Sequence, residues 1–384
     1  MRILLAGIDC VWRRVRVSLN QMQSEGSCRQ SGATRDDTSG CGSPDLITTE
    51  EQLDEVLTRP CALLTKTVRR IESPLVIVGA GGKMGPTLAV LAKRAADASG
   101  RRIDVVAVSR FGNEQIRRWI EQHGVKTVAC DLLDPHSVAK LPDTGNLVYL
   151  VGLKFGTRAN PSATWAVNTL VPAAVCEKYA GSRIVALSTG NVYPLVPIDS
   201  GGSVETDPLT PLGEYSNAAV GRERIFEYCA ERYGVRVALL RLFYATELRY
   251  GVVRDIADWV YKGESVPLAN GWFNCIWQGD ANNMILRAME LTTAPLSVWN
   301  LCRPEVFSVR AVAELVGHQL GVTPRFSGRE SGTALLGNAR KLCAELGPPP
   351  TGIETIARWT AHWVSIGGRT LSKPTHFDVR DGQY

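Results

Sequence analysis

The stretch Pro74 to Gly85, PLVIVGAGGKMG, decides the fold. Leu75 to Val78 form a continuous apolar run, the pattern of a parallel strand buried on both faces, since covering helices leave no wet side. Gly79, Gly82 and Gly85 then fall three apart, with Gly81 as a further small residue, and a helix-forming segment, Pro86 to Ala98, follows. Strand, tight turn and helix in this order suit a phosphate group. Missing side chains permit the turn, let the backbone approach a pyrophosphate and let the helix pack close on the strand. The helix N-terminus adds free N–H groups and a positive dipole end. The expected cofactor-binding residues here are Gly79, Gly81, Gly82, Lys83, Met84 and Gly85. An ordinary strand-to-helix turn would share the glycines, and the segments downstream separate the two.

A chain of 384 residues can hold one large or two closely joined domains. Its formal net charge of +5 is too diffuse to argue for nucleic acid, and short pairs such as Arg13-Arg14 and Arg69-Arg70 read as solvated faces. The ten cysteines are scattered without the paired spacing of a zinc or redox motif, so no metal is expected. Several lie in apolar runs, which points to buried reduced thiols in a cytoplasmic protein. No apolar stretch approaches the ~20 residues needed to span a bilayer, so no membrane partner is expected. The opening MRILLAGIDC has an apolar run shorter than a signal-peptide core.

Gln21 to Pro44 is rich in Ser, Gly, Arg, Asp and Thr and has too little to bury, so residues 1–45 read as a disordered leader or follow a wrongly assigned start. Thr48 with Glu51 makes a capping box, and Leu53, Val56 and Leu57 an apolar face, giving a short helical extension over 46–72. Strands and helices then alternate. Strands are expected at Asp104–Val108, Thr127–Cys130, Leu147–Val151, Arg183–Leu187, Val237–Leu242 and Ser297–Leu301. Helices fall between them at Glu114–His123, Thr164–Ala180, Tyr215–Arg232 and Gly279–Leu291, with Val309–Leu320 and Ile353–Ile366 beyond. This is the order of an α/β protein with a Rossmann-like, doubly wound parallel sheet.

From about Pro74 to Trp363 the signals resemble the extended short-chain dehydrogenase/reductase family, the NAD-dependent epimerases and dehydratases of nucleotide sugars. VGAGGKMG matches its Gly-x-x-Gly-x-x-Gly. CDLLD at Cys130–Asp134 looks like the segment that reaches the adenine, through Asp131 with Leu132 beside it. VGLKFGT at Val151–Thr157 resembles the loop that carries a phosphate-side lysine, here Lys154, and Asn168 matches a helix asparagine. RIVALSTGNVYP at Arg183–Pro194 is similar to the catalytic-hydroxyl strand and places that hydroxyl on Thr189. EYSNAAVGRERIFE matches the Tyr-x-x-x-Lys helix at Tyr215 and keeps its Glu223. The resemblance implies an NAD(P)-binding domain over 73–243 and a substrate lobe over 244–384, with 279–320 returning to the first domain. It further implies a small-molecule substrate such as a nucleotide sugar, and a homodimer through the helices near Thr164 and Tyr215.

Two departures stand out. Gly190 and Asn191 replace the Asp-Glu pair of the family's dehydratases, which argues against dehydration. Ala219 replaces the lysine that holds the nicotinamide ribose and favours the tyrosine's ionised form as general base. Arg222, seven residues after Tyr215 and on the same helical face, could supply the charge, or could pair at the surface with Glu223 or Glu227. Ser109 and Arg110 stand at the end of the second strand, where NAD-selective members place an acid, so NADP is favoured over NAD. Two readings remain open: an oxidoreductase or epimerase working through Tyr215, Thr189 and Arg222, and a catalytically impaired NAD(P)-binding sensor or partner-binding protein.

Overall fold

The computed structural model of the chain describes residues 44–382 apart from 155, 158 and 374. The leader expected over 1–45 therefore lies, up to residue 43, outside the described residues, as do Cys10, Cys28 and Cys41. Two short helices, α1 (Glu50–Leu57) and α2 (Ala62–Val68), lead into β1 (Leu75–Val78). The capping box sits one residue later than expected. Thr49 is the extended N-cap and its hydroxyl accepts from Gln52 N at 3.2 Å, while the Gln52 side chain accepts from Thr48 N at 2.8 Å. Gln52, not Glu51, therefore reaches back to the helix start, to the residue before the cap. Leu53 and Leu57 on the same helix are fully buried.

From β1 the chain runs through α3 (Gly85–Ala98), β2 (Val105–Ser109), α4 (Glu114–Gln122), β3 (Lys126–Ala129), α5 (Pro135–Ala139) and β4 (Asn146–Tyr149). It continues with α6 (Pro161–Lys178), β5 (Arg183–Thr189), α7 (Gly213–Tyr233) and β6 (Arg236–Leu242). Beyond these come α8 (Val252–Lys262), α9 (Gln278–Arg287), β7 (Ser297–Leu301), α10 (Val309–Leu320), α11 (Arg340–Leu346) and α12 (Ile353–Ser365). The seven strands form one parallel sheet in the order β7-β6-β5-β4-β1-β2-β3. The chain moves outward from β1 through β2 to β3 and then crosses back to β4. Between β1 and β4 lies a topological switch point, where a crevice opens beyond the carboxyl ends of the strands.

Strand alternation assigns the two faces. Leu75 and Ile77 enter a core shared with α2, α3 and α9, and Val76 and Val78 enter a second core with α6 and α7. A third core gathers α1, α8, α10 and α12 around Trp277, Trp359 and Trp363. Helix α9 packs on α2 and α3, and β7 pairs with β6, so this stretch rejoins the sheet. Helix α10 instead turns Val309, Val312 and Val316 into the third core, against α8 and α12. The returning segment is thus 278–301, a shorter one than 279–320.

Candidate active site

The turn after β1 is shaped by two glycines above all. Gly79 has φ +82, a left-handed conformation that side chains resist. At Gly85 an added Cβ would lie 2.4 Å from Ala80 O, so α3 can press on the strand end only without a side chain there. Gly81 lies beside Ser109, and Gly82 is exposed. Met84, the N-cap of α3, makes no side-chain capping bond to the first-turn N–H groups. Farther along the sheet, Arg110 is exposed after β2. Asp131 is exposed after β3 and its carboxylate accepts from Leu133 N at 3.1 Å, with Leu132 buried beside it.

A cavity of about 220 Å³ opens at the switch point and is lined by Lys83, Met84, Lys154, Thr189, Tyr215 and Arg222 among others. These six residues, chosen from sequence, meet on one cavity. Gly79, Gly81, Gly82, Gly85, Ser109, Arg110, Asp131 and Leu132 are not in its lining, and lie along the track from β1 to β3.

Thr189 is the last residue of β5, and its hydroxyl accepts from Asn191 N at 3.2 Å. Ser188, one step back on the strand, donates to the Glu223 carboxylate. Glu223 is buried in an ion pair with Arg241 at 2.7 Å. Arg241 Nη1 donates to Tyr193 Oη at 2.6 Å, and that hydroxyl donates to Asn300 Oδ1 at 2.9 Å. Burial pushes the Tyr193 phenol up to about 12 despite its arginine neighbour. This polar chain ties β5, α7, β6 and β7 together behind the cavity wall.

Arg222 forms neither of the surface pairs open to it. It is buried, and Nη1 donates to Val151 O at 3.0 Å and to Asn168 Oδ1 at 2.9 Å. Glu223 belongs to Arg241, and Glu227 to Arg224. Asn168 Nδ2 donates to Thr164 O at 2.8 Å, so α6 and α7 together hold the loop that carries Lys154. Nε of Arg222 is buried without a hydrogen-bond partner. Ala219 is fully buried in a cluster with Val192, Tyr193 and Phe243. A methyl group stands at that position, and it brings no charge.

Sequence reasoning chose Lys83 as part of the glycine turn, but its side chain does something the motif does not foretell. Nζ donates to Ala245 O at 2.7 Å and lies 4.0 Å from the centroid of the Tyr250 ring. Burial pushes the Lys83 ammonium down to about 7 and that of Lys154 down to about 8. Tyr250, also on the cavity, carried no sequence signal; burial raises its phenol above the usual tyrosine range. Asp280 does not cap α9, whose N-cap is Trp277. It accepts from Thr351 N at 2.9 Å, and burial pushes its carboxyl up to about 6.

Sheet order, glycine turn and crevice together define a Rossmann-like α/β fold. Residues 75–246 match the sequence model of the NAD dependent epimerase/dehydratase family. Among solved structures, UDP-glucose 4-epimerase of Thermotoga maritima superposes with a TM-score of 0.63 at 17% identity, covering 76% of this chain and 98% of its own. UDP-glucuronic acid 4-epimerase of Bacillus cereus, solved with UDP-glucuronic acid and NAD, gives 0.64 at 16% identity over 76% and 99%. DesIV of Streptomyces venezuelae, a dTDP-glucose 4,6-dehydratase solved with NAD, gives 0.64 at 18% identity over 76% and 97%. At these identities the likeness is one of fold. No curated protein matches the chain in sequence. Among the described residues no helix is long and apolar enough to cross a membrane, and no cluster of His, Cys, Asp and Glu could hold a metal ion.

Proposed function

We propose that the protein is an NAD(P)-dependent oxidoreductase or epimerase acting on a hydroxyl of a nucleotide sugar or a similar hydroxylated small molecule. One observation carries this reading: Thr189, Tyr215 and Lys154 face the same cavity at the switch point. The turn fits a pyrophosphate, with Gly79 left-handed, Gly82 open and the α3 N-terminus without a side-chain cap. A bound nicotinamide would supply the hydride acceptor. In this reading Thr189 holds the substrate hydroxyl by a hydrogen bond and Tyr215 takes its proton as the neighbouring C–H bond breaks. Arg222 supplies positive charge from α7 where position 219 has none. Nucleotide sugars are named as substrates of the structural neighbours, and that class is the one proposed.

The proposal includes a preference for NADP, because Arg110 is exposed at the end of β2 and suits a 2′-phosphate. It also includes a homodimer through α6 and α7, on which Leu170 and Tyr228 are each 60% exposed, and a cytoplasmic location, where thiols stay reduced. Incubation of dinucleotide-loaded protein with a panel of nucleotide sugars, followed by nicotinamide absorbance, tests the activity. A second reading, a sensor that binds the dinucleotide without turnover, is favoured by Ala219. Tight binding with no reduction across the panel would select it.

A further inference from the structure

The cavity has an uneven charge. Its lining carries three cations, Lys83, Lys154 and Arg222, and among the described residues no carboxylate. Taking positive charge out of water is costly, so a lining of this kind favours an anionic group. Lys83 shows the cost most clearly, with its ammonium lowered by burial and by repulsion from Lys154. The carboxylates that act on it from outside the lining are engaged elsewhere. Glu247 holds Arg249 at 3.1 Å, and Asp255 accepts from Thr375 N at 3.1 Å and from its hydroxyl at 2.6 Å. What holds the Lys83 ammonium is a neutral carbonyl, Ala245 O, and the face of Tyr250. An ammonium has three donors, and these contacts occupy two directions.

The dinucleotide's own negative groups belong elsewhere. Its pyrophosphate belongs at the backbone N–H groups of the turn and of α3. The Lys83 side chain leaves that turn and ends at Ala245, in the segment after β6, on the opposite wall. An oxidised nicotinamide ring is itself cationic and gains nothing from a facing ammonium.

We propose that the substrate carries a carboxylate on its sugar, and that this carboxylate docks on Lys83 in the cavity between the glycine turn and Ala245. The assignment rests on the function proposed above. Lys83 is then a specificity-determining residue, selecting a sugar acid over the neutral sugar. The aliphatic stem and the turn backbone stay as they are, and only the ammonium exchanges part of its contact with Ala245 O and Tyr250 for the carboxylate.

The test is calorimetry on the full chain, first with NAD and NADP, then with UDP-glucuronate and UDP-glucose titrated into dinucleotide-saturated protein. The wild type is expected to bind the acid about tenfold or more tighter than the neutral sugar, the scale of one charge-assisted hydrogen bond. Lys83→Met should erase that preference, read as the ratio of the two sugar affinities at dinucleotide saturation, and Lys83→Arg should keep most of it. Thermal unfolding of both variants guards against misfolding. Equal binding of the two sugars by the wild type, binding of neither by dinucleotide-saturated protein, or a preference that survives in folded Lys83→Met overturns the assignment. Failure to bind either dinucleotide overturns the parent reading instead.

Discussion

The glycine turn and the tyrosine helix face one cavity, yet they are built from different materials. The turn works through backbone and missing side chains, so its function requires only that certain positions stay bare: Gly79 keeps φ +82, and Gly85 sits where no Cβ fits against Ala80. The helix works through side chains that must project a given group to a given point. There the pattern is kept at Tyr215 and Glu223 and abandoned at Ala219, and the cavity's charge comes from Arg222, Lys83 and Lys154 on other turns and loops. A backbone site is conserved in outline or lost. A side-chain site can be rebuilt from neighbouring elements.

The largest effects should separate the two walls outright. Gly82→Val is expected to weaken dinucleotide binding by about 100-fold or more in a folded protein, since the nearest atom to an added Cβ is Gly79 O at 3.3 Å and the position faces outward. Calorimetry of a folded variant with undiminished affinity would break the assignment of that wall. On the other wall, Tyr215→Phe and Thr189→Ala should each cut turnover by about 10²- to 10⁴-fold with dinucleotide affinity unchanged, as for loss of a positioned acid–base group. Steady-state kinetics beside calorimetry reads both numbers.

A smaller effect probes what stands behind the tyrosine helix. Arg241→Met leaves Glu223 buried without its partner and should cost about 3–5 kcal/mol of stability. The exposed pair of Arg224 with Glu227 should be worth under about 1 kcal/mol when Arg224 becomes Ala, because solvent screens it. Denaturant unfolding of both variants compares them directly, and equal losses would contradict the load assigned to the Ser188–Glu223–Arg241–Tyr193 chain.

A pH-dependent effect belongs to the nucleotide side, where α9 backs the glycine turn. Asp280 rises from an ordinary 3.8 to about 6 in the folded protein, so folding favours its protonated form. The stability it lends is full below its unfolded value and is lost as pH rises through about 6, about 3 kcal/mol in all. Asp280→Asn should flatten the stability profile between about pH 4 and 6. An unchanged slope in thermal scans would show that Thr351 N and the surrounding dipoles already compensate the charge.

The sheet was readable because its signals are local. An apolar run, three glycines and a helix lie within one short stretch, and Val309–Leu320 and Ser297–Leu301 fall where their apolar periods and turn residues place them. Tyr215 and Thr189 were readable because a family pattern fixes them, and the same pattern exposed the gap at Ala219. What escaped the sequence depends on pairs far apart in the chain. Arg241 takes Glu223, leaving Arg222 to turn under the Val151 loop, and neighbour spacing on α7 alone could not distinguish that from a surface pair. The path of Lys83 to Ala245 spans 162 residues of sequence, and nothing near either residue announces it. The helical return was overextended for the same reason, because the apolar face of α10 fits either core by period and only tertiary packing decides.

The central claim is that a nucleotide wall and a rebuilt catalytic wall act on one substrate in one cavity. The most direct measurement is the rate at which bound nicotinamide is reduced on mixing dinucleotide-loaded protein with a nucleotide sugar, in the wild type and in Tyr215→Phe. The account predicts reduction in the wild type and a rate at least about 100-fold lower in the variant, with equal dinucleotide occupancy. Equal rates in the two proteins, or no reduction in either with the cavity fully loaded, would contradict it.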